Sequence, residues 1–279
     1  MNQDQLTATL ANHSVAQLPQ VLAQLSTPPD QVQPHQLLLA LTNHPEIHQA
    51  YTLILEVIEQ HQLLDSENSR DRLLSLAALK YVPAPQAVPL ILKLIKDTNI
   101  QIRSMAVFSL GLKATEDCFP ILANILETET DYGVRADAAG ALGYLGDPRA
   151  FEPLMRAFYE DVEWLVRFSA AVSLGNLADP RAYEALISAL KSKEGILHQA
   201  AISALGEVGD LRCIPHILEF VQAEDWLTRQ RLAEALGHLP SPKSLAALNY
   251  LAQDPHPQVS TAARISRDRL TAQQKLNQD

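Results

Sequence analysis

Apolar residues between positions 131 and 160 follow two helical stripes that are separated by a turn. The first stripe recurs at steps of three and four residues: Val134, Ala138, Ala141, Leu142 and Leu145. Gly146 is typical of a helix end, and Asp147 followed by Pro148 is typical of the cap and first residue of a new helix. The second stripe contains Phe151, Leu154, Met155 and Phe158. The segment is therefore predicted to form a tight helical hairpin.

The same pattern recurs along the chain with a constant period. A Leu-Gly pair returns at spacings of 32, 32, 31 and 31 residues: Leu110-Gly111, Leu142-Gly143, Leu174-Gly175, Leu205-Gly206 and Leu236-Gly237. A basic residue precedes each Leu by seven positions: Arg103, Arg135, Arg167, His198 and Arg229. The turn marker Gly-Asp-Pro-Arg-Ala at 146–150 has counterparts at 178–182 and 209–213. Such self-similarity predicts a repeat fold.

The fold class that follows is all-α, an alpha-alpha superhelix or solenoid of HEAT-like helical hairpin repeats. Neither the Thr-Pro-Leu-His motif of ankyrin repeats nor the Trp and Tyr pattern of tetratricopeptide repeats is present. We expect residues 1–66 to be a degenerate helical cap and residues 67–257 to hold six repeats. Residues 258–279 are predicted to form a capping helix, over 258–270, and a polar tail.

Helices are also expected in the N-terminal cap. Three segments there are helix-like: 18–25, 35–41 and 47–64. They are separated by Thr-Pro-Pro-Asp at 27–30 and by His44-Pro45.

Two features of each repeat predict how it is assembled. Gly143 lies in mid-helix, where glycine costs about 1 kcal/mol relative to alanine, so its recurrence predicts helices that approach too closely for a side chain. Polar residues in register are predicted to cap the first helix of each repeat: Asn99, Asp131, Glu163, Glu194 and Asp225.

Composition narrows the function classes. A formal net charge of −10 argues against nucleic acid as the main partner, because phosphate binding needs a clustered basic surface. No apolar run is long enough to insert into a membrane, and no secretory leader is evident, so a cytoplasmic protein is expected. Cys118 and Cys213 share one repeat position with alanines, which predicts small buried residues rather than a disulfide.

The segment 134–150 resembles the HEAT-like repeat of the phycobilin lyase family of cyanobacteria and its relatives, and the likeness spans about residues 67–265. The run Trp-Leu-Val-Arg-Phe-Ser-Ala-Ala at 164–171, followed by Leu174-Gly175, looks most like the branch involved in phycobilisome degradation. Tyr-Gly-Val-Arg-Ala at 132–136 is similar to the smaller subunit of heterodimeric lyases. The resemblance implies binding to phycobiliprotein subunits.

Aromatic residues are the first candidates for binding. Tyr132, Trp164 and Trp226 share one register position and would form a row that stacks on a ligand or anchors a partner. The alternative is that each staples its helix start to a neighbouring repeat.

Arginines form two further ladders. Arg149, Arg181 and Arg212 start the second helices, and with Arg156 they would hold propionates or an acidic partner on a concave face. The alternative is pairing with Glu152 and Glu184 of neighbouring repeats. The other ladder, which contains Arg135 and Arg167, is expected to be satisfied inside the array beside Asp147 or Asp179.

Histidines add one candidate. His216 projects from the second helix of the repeat in which His198 replaces the arginine, so this irregular repeat either marks a site or reflects drift. His44 and His48 lack a third ligand, and no metal site is expected. No catalytic constellation stands out.

The function expected from these observations is binding of phycobiliprotein subunits, in phycobilisome degradation or chromophore handling, mainly by positioning the partner. In that case Arg149, Arg156 and Arg181 would pair with bilin carboxylates while Trp164 or Tyr132 packs on the rings. One alternative is a bilin lyase that attaches or detaches a linear tetrapyrrole. Another is a general protein-protein scaffold. No resident cofactor is expected, although a phycobilin would be bound transiently during chromophore handling.

Overall fold

The computed structural model describes residues 2–25 and 32–276, and within these ranges the chain is helical without a β-strand. The all-α class predicted from the period is confirmed. The separator predicted at 27–30 lies outside the described residues. The chain divides into two compact units, residues 1–115 and residues 116–279, which are called here the N-terminal and C-terminal units.

Seven helices make up the described part of the N-terminal unit: α1 Gln3–Ala11, α2 Leu18–Leu25, α3 Pro34–Thr42, α4 Tyr51–Gln60, α5 Ser69–Ala78, α6 Ala84–Leu92 and α7 Ile100–Lys113. Helix α1 is not evident from the sequence pattern, and Asn2 starts it with a capping box that includes Gln5. The helix predicted over 47–64 is shorter, because turns occupy both of its ends.

The C-terminal unit contains the most regular hairpins. Its helices are α8 Cys118–Thr128, α9 Tyr132–Leu145, α10 Phe151–Glu160, α11 Trp164–Asn176, α12 Tyr183–Ala189, α13 Gly195–Val208, α14 Ile214–Ile217, α15 Trp226–Leu236, α16 Pro242–Leu251 and α17 Pro257–Leu276. The odd-numbered helices are the first helices of their hairpins, and each packs against the next odd-numbered helix. Helix α17, which is the first helix of the last repeat, runs to Leu276 and so includes part of the predicted polar tail.

The turn inside three of the hairpins, α9–α10, α11–α12 and α13–α14, is tighter than the sequence indicates. Gly146 ends α9 with a left-handed backbone (φ 67°), as predicted. The side chain of Asp147 then accepts a hydrogen bond from the backbone N–H of Arg149, which caps a 3₁₀ turn over Pro148–Ala150. The α-helical part of the second helix therefore begins only at Phe151.

Capping of the first helices depends on side-chain length. Asn99, Asp131 and Asp225 accept hydrogen bonds from backbone N–H groups of the helices that they start. Glu163 and Glu194 hold the same N-cap position at the positive ends of their helices, as predicted, but their side chains make no capping hydrogen bond. Asp and Asn are preferred at this position, and both glutamate carboxylates are left to point elsewhere.

Glycine sets the distance between consecutive first helices, as its recurrence predicts. A Cβ atom added to Gly175 would lie 2.6 Å from the Cα atom of Ala204, and one added to Gly206 would lie 2.7 Å from that of Ala235. At Gly143 the nearest atoms belong to Ser173, whose hydroxyl donates a hydrogen bond of 2.8 Å to the carbonyl of Ala139. Backbone-to-backbone contact of this kind excludes every larger residue.

Helix α17 is the last in the series of first helices that pack through glycine. On α17, Arg264, Arg267 and Asp268 stand at the repeat positions that Ala139, Leu142 and Gly143 occupy in α9. Arg264 and Asp268 are exposed. Charged side chains at these positions oppose the docking of another hairpin, as polar capping repeats do.

We predict that Gly206→Ala destabilises the protein while Gly140→Ala does not. The first substitution forces a Cβ atom into the backbone of α15 and should cost about 1–3 kcal/mol in the free energy of unfolding. A Cβ atom at Gly140 meets nothing within 4 Å, so better helix propensity should stabilise this variant by up to about 1 kcal/mol. Urea unfolding followed by circular dichroism measures both effects, and equal midpoints for the two variants would contradict the packing account.

Candidate functional site

The predicted aromatic row lies at the N-terminal ends of three first helices of the C-terminal unit. Tyr132, Trp164 and Trp226 are the first residues of α9, α11 and α15, and their exposed fractions are 50%, 49% and 37%. At the corresponding place α13 begins with Gly195. The row is therefore interrupted between its second and third members.

Trp226 differs from the other two because its ring already has a partner. It stacks on His256 with ring centroids 4.2 Å apart and an angle of 11° between the planes. His256 precedes α17, so this contact ties one repeat to the next, which is the packing role weighed for the row. Tyr132 and Trp164 keep more of their surface open.

A shallow apolar pocket of about 500 Å³ lies beside Trp164. Its lining consists of Val162, Glu163, Trp164, Arg167, Glu194 and Ile196. Val162 is the most exposed large apolar side chain of the described residues, at 84%. Arg167 belongs to the pocket wall, where its Nη2 donates to both carboxylate oxygens of Glu194 at 2.5 and 2.6 Å. The pocket thus joins the start of α11 to the start of α13.

The exposed arginine ladder forms one motif that is repeated three times. Arg149, Arg181 and Arg212 each bind the aspartate two positions earlier, Asp147, Asp179 and Asp210, with shortest distances of 2.6–2.7 Å. Each guanidinium also lies over an aromatic ring of the preceding repeat, Phe119, Phe151 or Tyr183, at 3.9–4.5 Å from its centroid. Hydrogen bonds from these arginines hold the pKa of each aspartate below its ordinary value.

The glutamate partners that were considered for this ladder are only partly present. Arg181 approaches Glu152 at 3.6 Å, and this is the one such contact among the three arginines in the part of the chain that the structure describes. The sequence does contain a signal for the observed partners. When an arginine follows the capping aspartate of a turn by two positions, its guanidinium group can reach back to that carboxylate. Stacking on a ring of the previous repeat makes the ladder a series of inter-repeat clamps.

Arg156 and His216 lie on second helices. Arg156 on α10 pairs with Glu127 on α8 at 2.7 Å, across a depression of about 250 Å³ between the two helices. His216 on α14 is exposed. The depression beside Arg156 also includes Asp161, which follows α10.

The candidates therefore do not converge on one site. Helix α9 has 14 residues and a length of about 20 Å, with Tyr132 at one end and the turn that holds Arg149 at the other. Trp164 and Arg181 are separated in the same way by α11. The expectation that Arg149 or Arg181 holds the carboxylates of a bilin while Trp164 or Tyr132 packs on its rings needs correction, because the two sets occupy opposite edges of the hairpins. The same expectation for Arg156, which lies on α10, stays a prediction.

The other arginine ladder is largely buried, and its partners differ from those predicted. Arg135 binds Asp161 through Nε and Nη2 at 2.9 and 3.1 Å, and Arg229 binds Asp254 at 2.7 and 3.1 Å. These aspartates follow the second helix of the repeat, whereas Asp147 and Asp179 are occupied by the exposed ladder. The remaining Nη1 of Arg135 donates to the carbonyls of Glu129 and Thr130. Each arginine thus ties together two consecutive interhelical loops.

The interaction that links consecutive interhelical loops is different around α13. His198 replaces the arginine and interacts through Nε2 with the carbonyl of Ser192 at 2.7 Å, while its ring lies 5.0 Å from that of Phe220. Lys193 takes the place that Asp161 has one repeat earlier. Arg167 therefore turns to Glu194.

Other chemistry is limited in the described residues. No group of three His, Cys, Asp or Glu side chains is placed to hold a metal ion in residues 2–25 and 32–276. Cys118 and Cys213 are buried thiols, as predicted, and burial raises the pKa of Cys213 to about 12, which keeps it protonated. No described helix has both the length and the apolar character of a membrane span.

The hairpin geometry agrees with a family model. The model for HEAT repeats matches residues 60–142, 119–197 and 183–266. The chain belongs to the HEAT-repeat family. Members of this family use stacked hairpins to present extended surfaces to other proteins.

Comparison with solved structures found several similar chains. This HEAT-repeat chain is similar to a chain from the complex of CpcE and CpcF of phycocyanin lyase from Nostoc sp. PCC7120, at 25% identity and a TM-score of 0.54, over 63% of this chain and 74% of the other. An engineered protein matches at 18% identity and a TM-score of 0.46, over 66% and 96%. Human deoxyhypusine hydroxylase matches at 20% and 0.38, over 81% and 97%. A comparison with curated proteins gave no match.

We predict that Asp254→Asn lowers the free energy of unfolding by about 1.5–3 kcal/mol at neutral pH, because two charge-assisted hydrogen bonds from Arg229 are weakened. Those bonds lower the pKa of Asp254 against the opposing effect of burial, with further help from the N–H of His256. The stabilisation is therefore present above the unfolded pKa of about 3.9 and is lost as the pH falls through the folded pKa. The difference between the variant and the natural protein should shrink below about pH 4.

Urea titrations at several pH values measure this difference. Asp268→Asn is the matched control, since its pair with Arg267 is exposed and should contribute less than about 1 kcal/mol. An equal loss in the free energy of unfolding for both variants, or a loss that persists at low pH, would contradict the assigned role of the Arg229–Asp254 pair.

Proposed function

We propose that this HEAT-repeat protein binds phycobiliprotein subunits and acts in phycobilisome degradation or chromophore handling, mainly by positioning its partner. The observation that carries the proposal is the similarity to the complex of CpcE and CpcF of phycocyanin lyase, which extends over 63% of this chain. The repeat motifs at 132–136 and 164–171, which resemble this family, fall inside the regular C-terminal unit.

The starts of the first helices supply the contact surface in this proposal. Tyr132 and Trp164 are half-exposed aromatic side chains on rigid helix ends, and large aromatic residues dominate the energetics of protein interfaces. Because they are carried by consecutive hairpins, their spacing is fixed by the glycine-mediated packing of α9 and α11. A preorganised surface of this kind positions a partner without ordering costs.

A bilin lyase activity is the second candidate, and the similarity to a phycocyanin lyase favours it. That enzyme is a complex of two chains, so attachment or detachment of a bilin by this protein would take place together with a second subunit. Arg149 and Arg212 would then contact carboxylates with the Nη1 groups that their aspartates leave open, whereas Nη1 of Arg181 already approaches Glu152. A general scaffold without any connection to pigments is the remaining alternative.

We predict that the purified protein comigrates with isolated phycocyanin or allophycocyanin in size-exclusion chromatography. The visible absorption spectrum of the same fractions separates the candidates. A changed spectrum supports chromophore handling, and an unchanged spectrum supports an adaptor for disassembly. Absence of association with both phycobiliproteins would overturn the proposal and favour the general scaffold.

Two variants test whether the association with phycobiliproteins uses the aromatic row. Trp164→Ala should weaken the association by about tenfold or more, as expected for a central aromatic anchor. Tyr250→Ala removes a comparably exposed aromatic side chain from the second helix α16 and should leave the affinity unchanged. Equal affinities for the two variants would exclude the aromatic row from the interface.

A further inference from the structure

The geometry points to a docking surface for a basic segment with an apolar anchor, on the edge of the C-terminal unit where α11 and α13 begin. We call this surface the acidic edge and define it by Glu160, Val162, Glu163, Trp164, Glu194 and Ile196. The inference goes beyond the proposed function, because it specifies the chemistry of the bound segment whichever partner supplies it.

The apolar part of the acidic edge is a pocket with an exposed rim. The pocket of about 500 Å³ is bounded by Trp164 and Ile196, and Val162 stands beside it. A single exposed apolar residue is ordinary on a protein surface, whereas an exposed valine, an indole face and an aliphatic wall together form a receptor for one bulky side chain. Leu, Ile, Met or Phe on the partner would fill this space.

Two further carboxylates lie at and beside the pocket. Glu163 lines it, whereas Glu160 ends α10 and borders the depression between α8 and α10. The cation that faces Glu163 is Arg135, which is already bound to Asp161 at 2.9 Å, so the three groups together keep a net negative charge. Glu163 occupies the cap position of α11 without capping it. A lysine or arginine next to the partner's apolar anchor would meet the carboxylates of Glu160 and Glu163, and such complementarity adds specificity and speeds association.

Arg167, the cation in the pocket wall, does not repel a basic segment. Arg167 directs Nη2 at the carboxylate of Glu194 and Nη1 at the carbonyl of Asp161. Its donors thus face groups of its own chain. Lys191 and Lys193 lie in the loop before α13, so the negative potential is concentrated on the α11 side of the pocket. A bound segment would therefore place its basic residues toward Glu160 and Glu163.

The opposite edge of the same hairpins differs in its exposed cations. Glu152 and Glu184 lie there too, but beside Arg181 and Arg212. The arginine side chains at that edge are 56–69% exposed, against 19% for Arg167 in the pocket wall, so they would repel a basic segment. The formal net charge of the whole chain is −10, which also favours the approach of a cationic segment.

The test uses the full-length protein and a fluorescein-labelled synthetic peptide in which leucine and phenylalanine are flanked on both sides by two lysines. Fluorescence anisotropy should show binding that weakens by about tenfold in Trp164→Ala and by a similar factor in the double variant Glu160→Gln, Glu163→Gln. The double variant Glu152→Gln, Glu184→Gln removes the same charge from the starts of the second helices and should bind as the natural protein does. Circular dichroism verifies that all variants are folded.

Two further peptides separate the apolar and the charged contributions. Replacement of leucine and phenylalanine by serine, or of the lysines by glutamates, should each abolish binding. The inference is overturned if the serine peptide binds equally well, if the two double variants lose the same affinity, or if the original peptide does not bind. Since the assay contains no phycobiliprotein, its failure leaves the test of the proposed function unaffected.

Discussion

The structure depends on the close approach of consecutive first helices in the C-terminal unit. Contacts between the glycine of one helix and the alanine of the next, such as Gly175 with Ala204, bring two backbones together without intervening side chains. This approach fixes the distance and rotation between neighbouring hairpins. It also explains why helix-weakening glycines persist in mid-helix, since the packing gained across the array offsets their poor propensity.

The two ends of each hairpin use this geometry differently. At the turns after α9, α11 and α13, an aspartate caps the second helix and holds an arginine that covers a ring of the previous repeat. At the loops between hairpins, largely buried arginines such as Arg135 bind the aspartate that follows the second helix, and the cap positions are free to vary. Sequence varies at those caps, from Asp131 to Glu163, and the residues that follow them, Tyr132 and Trp164, are half-exposed. The proposed binding surface therefore lies where packing constrains the sequence least.

The periodic part of the fold was predictable because one constraint acts at every repeat. The Leu-Gly pair, the turn at Gly146 and the burial of Cys118 and Cys213 each follow from a local pattern. Sequence alone did not reveal which aspartate Arg135 meets, because Asp161 lies 26 residues further along the chain and comes near only when the loops are placed in space. For the same reason it placed Arg149 and Trp164 in one site, although a whole helix separates them. Helix α1 was missed because the sequence of residues 1–66 carries none of the repeat markers, although α1 packs against α3 as other first helices pack against each other.

Amide hydrogen exchange measured by mass spectrometry tests the packing account most directly. If contacts between first helices hold the C-terminal unit together, amides in α9, α11, α13 and α15 should exchange more slowly than those in the second helices α10, α12, α14 and α16. Second helices that exchange as slowly as the first helices, or more slowly, would contradict the claim that glycine-mediated packing is the interaction on which the fold depends.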